Sequence, residues 1–89
     1  MNKEELKRRA IALENELKTM SSQSADIAAL AKYEPVVSAI SRAKAGEITE
    51  PEDIPGMYYW KFETDVFWNF KSLGEVFASF SLLLRGLDG

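Results

Sequence analysis

The sequence predicts an all-α fold, a small bundle of four to five helices forming one domain over residues 1–89. Three observations carry that reading. Leu6, Ala10, Leu13, Leu17 and Met20 recur at steps of four, three, four and three, which lines them along one helix face. Phe67, Phe70, Leu73, Phe77, Phe80 and Leu84 repeat the pattern near the other end of the chain. The aromatic run from Met57 to Glu63 would suit a strand, but no second convincing strand is there to pair with it, and a lone strand is unstable in water.

The elements follow in order. Asn2 and Glu5 have the spacing of a capping box at the start of the first helix, and Ser21-Ser22-Gln23-Ser24 ends it. A second helix over Ala25–Lys32 places Ile27, Leu30 and Tyr33 on a face. Pro35 inside a helix would cost about 3 kcal/mol, whereas at the first helical position its missing N–H costs nothing. A new helix over Pro35–Ala45, carrying Val36, Val37, Ile40 and Ala43, is therefore expected, with one kinked helix as the alternative. Gly46 is its C-terminal cap. The link that follows holds Pro51 and Pro55, and Thr49 and Glu52 again have capping-box spacing, which predicts a single turn over Glu50–Ile54. Met57–Glu63 is read as helical. The last helix is capped by Thr64 or Asp65 and runs to Gly86. Gly74 inside it costs roughly 1 kcal/mol against alanine, so a close backbone approach is expected there.

Composition excludes several functions. An 89-residue chain with 46% hydrophobic and 28% charged residues is ordinary globular material, too small for a core plus a deep enclosed cofactor site. With 11 basic and 14 acidic residues the net charge is −3, a poor start for nucleic-acid binding. The basic cluster Lys7-Arg8-Arg9 is flanked by Glu4, Glu5, Glu14 and Glu16, as on a solvated helix face. Cysteine and histidine are both missing, which removes disulfides, thiolate sites, the commonest zinc ligand and the usual nucleophile–base pairs. MNKEELKRRA has no apolar core of a signal peptide, and Val76–Leu84 is far shorter than the roughly 20 residues of a membrane span. A cytoplasmic protein without membrane or nucleic-acid partners is the expectation.

Nothing in the chain assembles chemistry. Glu63 and Asp65 stand two apart and diverge on a helix, Ser79 and Ser81 lack a base, and Lys71 lacks a nucleophilic partner. The acids around Asp53 lack the ligand spacing and turn glycine of a calcium loop. No catalytic, cofactor or metal residue is assigned, and the chain is expected not to be an enzyme.

Binding is the stronger reading. Of ten aromatic residues, seven fall in MYYWKFETDVFWNF, directly after the acidic link GEITEPEDIPG. From Lys44 to Asp65 six acids face two bases, a local charge of −4. The Phe residues of the C-terminal stripe are read as core. Tyr58, Tyr59, Trp60 and Phe62 are too crowded for one helix to bury on one face, so at least one or two should reach the surface. Tyr and Trp are favoured at interface hot spots. A mobile anionic segment beside such rings would steer a basic partner and then anchor it, as in an inhibitor that plugs a toxin's anion-binding cleft by imitating phosphate charge. The expected partner-binding residues are Glu47, Glu50, Glu52, Asp53, Tyr58, Tyr59 and Trp60.

The order of segments also resembles a known family. A leading helix (EELKRRAIALENELKTM) precedes a helix after a tyrosine-containing turn (KYEPVVSAISRA). A proline- and acid-rich turn (ITEPEDIPG), a short Gly56-x-x-x-x-Lys61 helix and a long aromatic helix ending RGL follow. This succession is similar to the small all-helical immunity proteins opposing type VI secretion effectors, in particular the family opposing the NAD(P)-glycohydrolase effector. Effectors with an alarmone-synthetase-like toxin domain have comparable helical partners. The resemblance implies a cytoplasmic, non-catalytic protein that binds one toxin domain tightly and covers its active site. It assigns no contact residue, so the site expectation rests on the residues alone. The competing expectation is a homo-oligomeric helical scaffold in which a two-fold interface buries Trp60 and Trp68; an immunity protein that is a homodimer when free would satisfy both. A peripheral membrane module built on Phe77–Leu84 is a third, disfavoured because that helix has no basic face.

Overall fold

A computed structural model describes residues 2–86. Among them are five α-helices and one π-helical turn, with no strand: α1 Lys3–Met20, α2 Ala25–Ala31, α3 Glu34–Ala45, the π-helix Tyr59–Glu63, α4 Val66–Asn69 and α5 Lys71–Leu84. The all-helical bundle is as the periodicity predicts. Helix α1 lies between α3 and α5, and its stripe Leu6, Ala10, Leu13 and Leu17 is buried against both. Arg9 fastens the α5 side: its Nη1 donates to the Ser79 carbonyl oxygen at 3.0 Å while its Nε donates to Glu5 at 3.1 Å.

Local sequence signals explain most boundaries. Asn2 Oδ1 accepts from the Glu5 N–H at 3.1 Å, the first half of the expected capping box. The Glu5 carboxylate does not close the second half; it pairs with Arg8 and Arg9. Ser24 caps α2 by accepting from Asp26 and Ile27. Pro35 sits in the first turn of α3 after an extended Tyr33, so two helices form rather than one kinked helix. Gly46 ends α3 in the left-handed region at φ 73°, with Glu47 N–H returning to the Arg42 carbonyl and Gly46 N–H to that of Ala43. That is the Schellman pattern, and it needs no side chain at Gly46. Val37, expected with the core face of α3, is at the surface, whereas Val36, Ile40 and Ala43 are buried.

Two expectations need correction. Glu50–Ile54 forms no helical turn. The Glu52 N–H donates to the Leu84 carbonyl oxygen at 3.0 Å and its carboxylate is held by Arg42, so neither is left to box with Thr49. The C-terminal stripe is also not one helix. The backbone leaves helical geometry at Phe70 (φ −125°, ψ 78°), folding α4 back onto α5. Gly74 sits at the close contact of that fold: a Cβ there would lie 3.2 Å from the Phe67 carbonyl oxygen, a tight fit that a shift of a few tenths of an ångström would relieve. The expected close approach is real, and its partner is the backbone of the preceding short helix. Phe77 and Phe80 are buried, while Phe67 and Phe70 are half-buried against the core.

Candidate functional site: an exposed aromatic face on a pinned turn

The link after α3 is anchored at several points, contrary to the mobile segment expected. Ile48 and Ile54 are buried in the core. Arg42 grips Glu52 with two hydrogen bonds of 2.8 and 2.6 Å. The guanidinium holds the Glu52 carboxyl below its ordinary 4.5, against a desolvation that would raise it. Asp53 Oδ1 accepts from the Ile54 N–H at 3.0 Å and lies 4.0 Å from Arg85 Nε.

The turn Pro55–Gly56 then redirects the chain. Gly56 adopts φ 79°, and a Cβ there would fall on the Tyr33 hydroxyl. That hydroxyl donates to the Pro55 carbonyl oxygen at 2.9 Å. Beyond it the backbone opens into the π-helix, a rare geometry that recurs at functional sites. Thr64 closes it by donating its hydroxyl to the Trp60 carbonyl at 2.7 Å.

This segment sorts its side chains into two sets. Trp60 points inward at 7% exposure, its ring 5.7 Å from Tyr33 and edge-on to Tyr59 at 5.1 Å. Met57 and Val66 are buried on either side of it in sequence. Outward stand Tyr58 (70% exposed), Tyr59 (54%), Phe62 (70%) and Trp68 (81%). Tyr58 and Phe62 support one another, with ring centroids 4.9 Å apart. Glu63 and Asp65 are exposed between Phe62 and Trp68 in sequence.

The expected site residues therefore divide. Tyr58 and Tyr59 are presented to solvent, and Glu47, Glu50 and Asp53 are exposed. Glu52 is engaged by Arg42, which leaves little of its charge for a partner. Trp60 is a core residue: it supports the face from below and is not on it. Sequence reasoning did not select the exposed Phe62 and Trp68 as site residues. Phe62 follows Tyr58 by four residues, which alone places it on the same side of a helical turn. Trp68 follows the half-buried Phe67 directly and so points away from the core. Among the described residues no group of His, Cys, Asp or Glu is arranged to hold a metal ion, and no helix is long and apolar enough to cross a membrane. No known family profile, curated protein or solved structure matches the chain.

Proposed function

We propose that the chain is a protein-binding inhibitor of the immunity type, and that Tyr58, Tyr59, Phe62 and Trp68 form the face that grips its partner. The observation that carries this reading is the exposure of four large aromatic side chains on one short segment, on a base pinned by Tyr33, Trp60 and the Arg42–Glu52 pair. Exposed apolar patches of this kind mark interaction sites. A rigid base lowers the ordering cost of binding, and Tyr and Trp contribute large contact area with few rotatable bonds. Glu47 and Glu50, exposed at the exit of α3, favour a partner with a basic rim. The succession of segments suggests the partner's class: a secreted bacterial toxin domain directed at NAD or another nucleotide, whose active site is covered on binding. The protein itself performs no reaction in this account and acts in the cytoplasm, where the toxin would.

The test is rescue. The C-terminal domain encoded beside this gene is expressed in bacteria with and without this chain, and colonies are counted. Survival that depends on this chain, with copurification of the two proteins, is the expected result. A harmless neighbour, or one that kills regardless, overturns the toxin assignment.

One observation favours a second reading. Among the described residues Trp68 is the most exposed of the large apolar side chains, and a second copy of the chain would cover it. Trp60 needs no such cover, being buried within its own chain. Sedimentation across a wide concentration range separates the readings: a constant dimer with a shielded Trp68 favours a homo-oligomeric scaffold, and a monomer with a solvent-quenched Trp68 favours an open face.

A further inference from the structure

Beside the aromatic face, a groove of about 320 Å³ runs between the π-helix with α4 on one side and α5 on the other. Its walls are apolar: Phe67 and Phe77, whose rings are 5.0 Å apart, and Leu82, 43% exposed. Gly74 and Ala78 contribute the small surfaces that leave the space open. The charged residues lining it are Lys61 and Arg85, both basic, in a chain whose net charge is −3. Arg85 Nε lies 4.0 Å from Asp53 Oδ1 in a loose, exposed pair.

We propose that this groove receives a bulky apolar side chain of the partner protein that is flanked by a carboxylate, the carboxylate being met by Lys61 and Arg85. Three features select that occupant. The volume is at the small end of ligand clefts, so it suits one large side chain rather than a cofactor. The lining is aromatic and aliphatic, which rewards apolar burial. The local sign is opposite to that of the acidic link, so the groove discriminates for an anion where the link discriminates for a cation. A partner would then be read twice, by a basic rim against Glu47 and Glu50 and by an acidic–apolar anchor here. This inference names the chemistry of the partner and rests on the protein-binding reading above.

The experiment uses a probe in place of the partner, so that failure of the groove and failure of the inhibitor reading are separable. The full chain, ¹⁵N-labelled, is titrated with 4-phenylbutyrate and with its neutral amide while backbone amide shifts are followed. The expected result is shifts centred on Lys61, Gly74, Ala78 and Leu82, with the acid about five-fold tighter than the amide. In a Lys61→Gln/Arg85→Gln variant the acid and amide bind alike. Ala78→Trp, which fills the groove from an exposed position, abolishes both titrations while amide dispersion shows the fold intact. Shifts confined to Tyr58, Phe62 and Trp68 overturn the proposal. So do shifts in a separate groove between α1 and α3 around Leu17, Val37 and Ile40, or equal binding of acid and amide by the wild-type chain.

Discussion

Tyr33 reaches from the junction of α2 and α3 to Trp60, with ring centroids 5.7 Å apart, and holds Trp60 beneath the exposed aromatic face. The same side chain donates its hydroxyl to the Pro55 carbonyl oxygen at 2.9 Å. One residue thus fixes both the turn that starts the aromatic segment and the ring that supports it.

Trp60→Ala should therefore act on stability. Removing a buried Trp side chain costs about 3–5 kcal/mol, through lost burial and the cavity left behind. Urea unfolding followed by circular dichroism measures it. Trp60→Phe keeps most of the buried area and should retain partner binding, which a direct contact role for Trp60 would not allow.

Gly56→Ala should destabilise the chain by about 1–3 kcal/mol, combining left-handed backbone strain with displacement of the Tyr33 hydroxyl. Tyr33→Phe, which loses only the partly solvated bond to Pro55, should cost about 1 kcal/mol or less. Thermal melts of the two variants test the order: Gly56→Ala is predicted to melt lower.

Acid should weaken the fold through two ion pairs. Hydrogen bonds from Arg42 to Glu52 and from Lys44 to Glu14 hold both carboxyls below their ordinary 4.5 in the folded state. The unfolded chain then binds more protons in that window, so stability rises with pH. The contribution is complete above 4.5, the ordinary value, and is lost as pH falls through the lowered folded values. Each pair is partly exposed, so each is worth about 1 kcal/mol or less. A Glu14→Gln/Glu52→Gln variant should show a flatter acid limb in unfolding midpoint against pH, and lower stability at neutral pH.

Glu47→Lys/Glu50→Lys should slow association with a basic-rimmed partner about ten-fold at low salt, with little change near 1 M salt, because screening removes steering. Stopped-flow association rates at both ionic strengths test this. An unchanged rate and salt slope would remove the acidic link from the recognition account. Glu52 is unsuitable for this test, since its reversal breaks the Arg42 pair as well.

The bundle was legible because its long helices carry unbroken periodicity and ordinary caps: the α1 stripe, Pro35 in the first turn of α3, Gly46 at its end. Residues 49–70 were less legible, since their geometry depends on distant groups. Glu52 answers to Leu84 and Arg42 rather than to Thr49, and Phe67 packs its backbone against Gly74 seven residues on. The crowding of aromatics correctly indicated that some must be exposed. The π-helical turn and Tyr33 set Trp60 inward and Phe62 outward, and Trp68, in α4, points out because Phe67 before it packs against the core.

The central claim is that the exposed rings carry the binding energy. The direct measurement is calorimetric titration of the protein domain proposed above as the partner, in inactive form, with wild-type chain and with Phe62→Ala and Trp68→Ala. Hot-spot rings cost about 2 kcal/mol or more when truncated, so each variant should bind about 30-fold more weakly with unchanged unfolding midpoints. Wild-type affinity in both variants would contradict the account and place the interface elsewhere on the bundle.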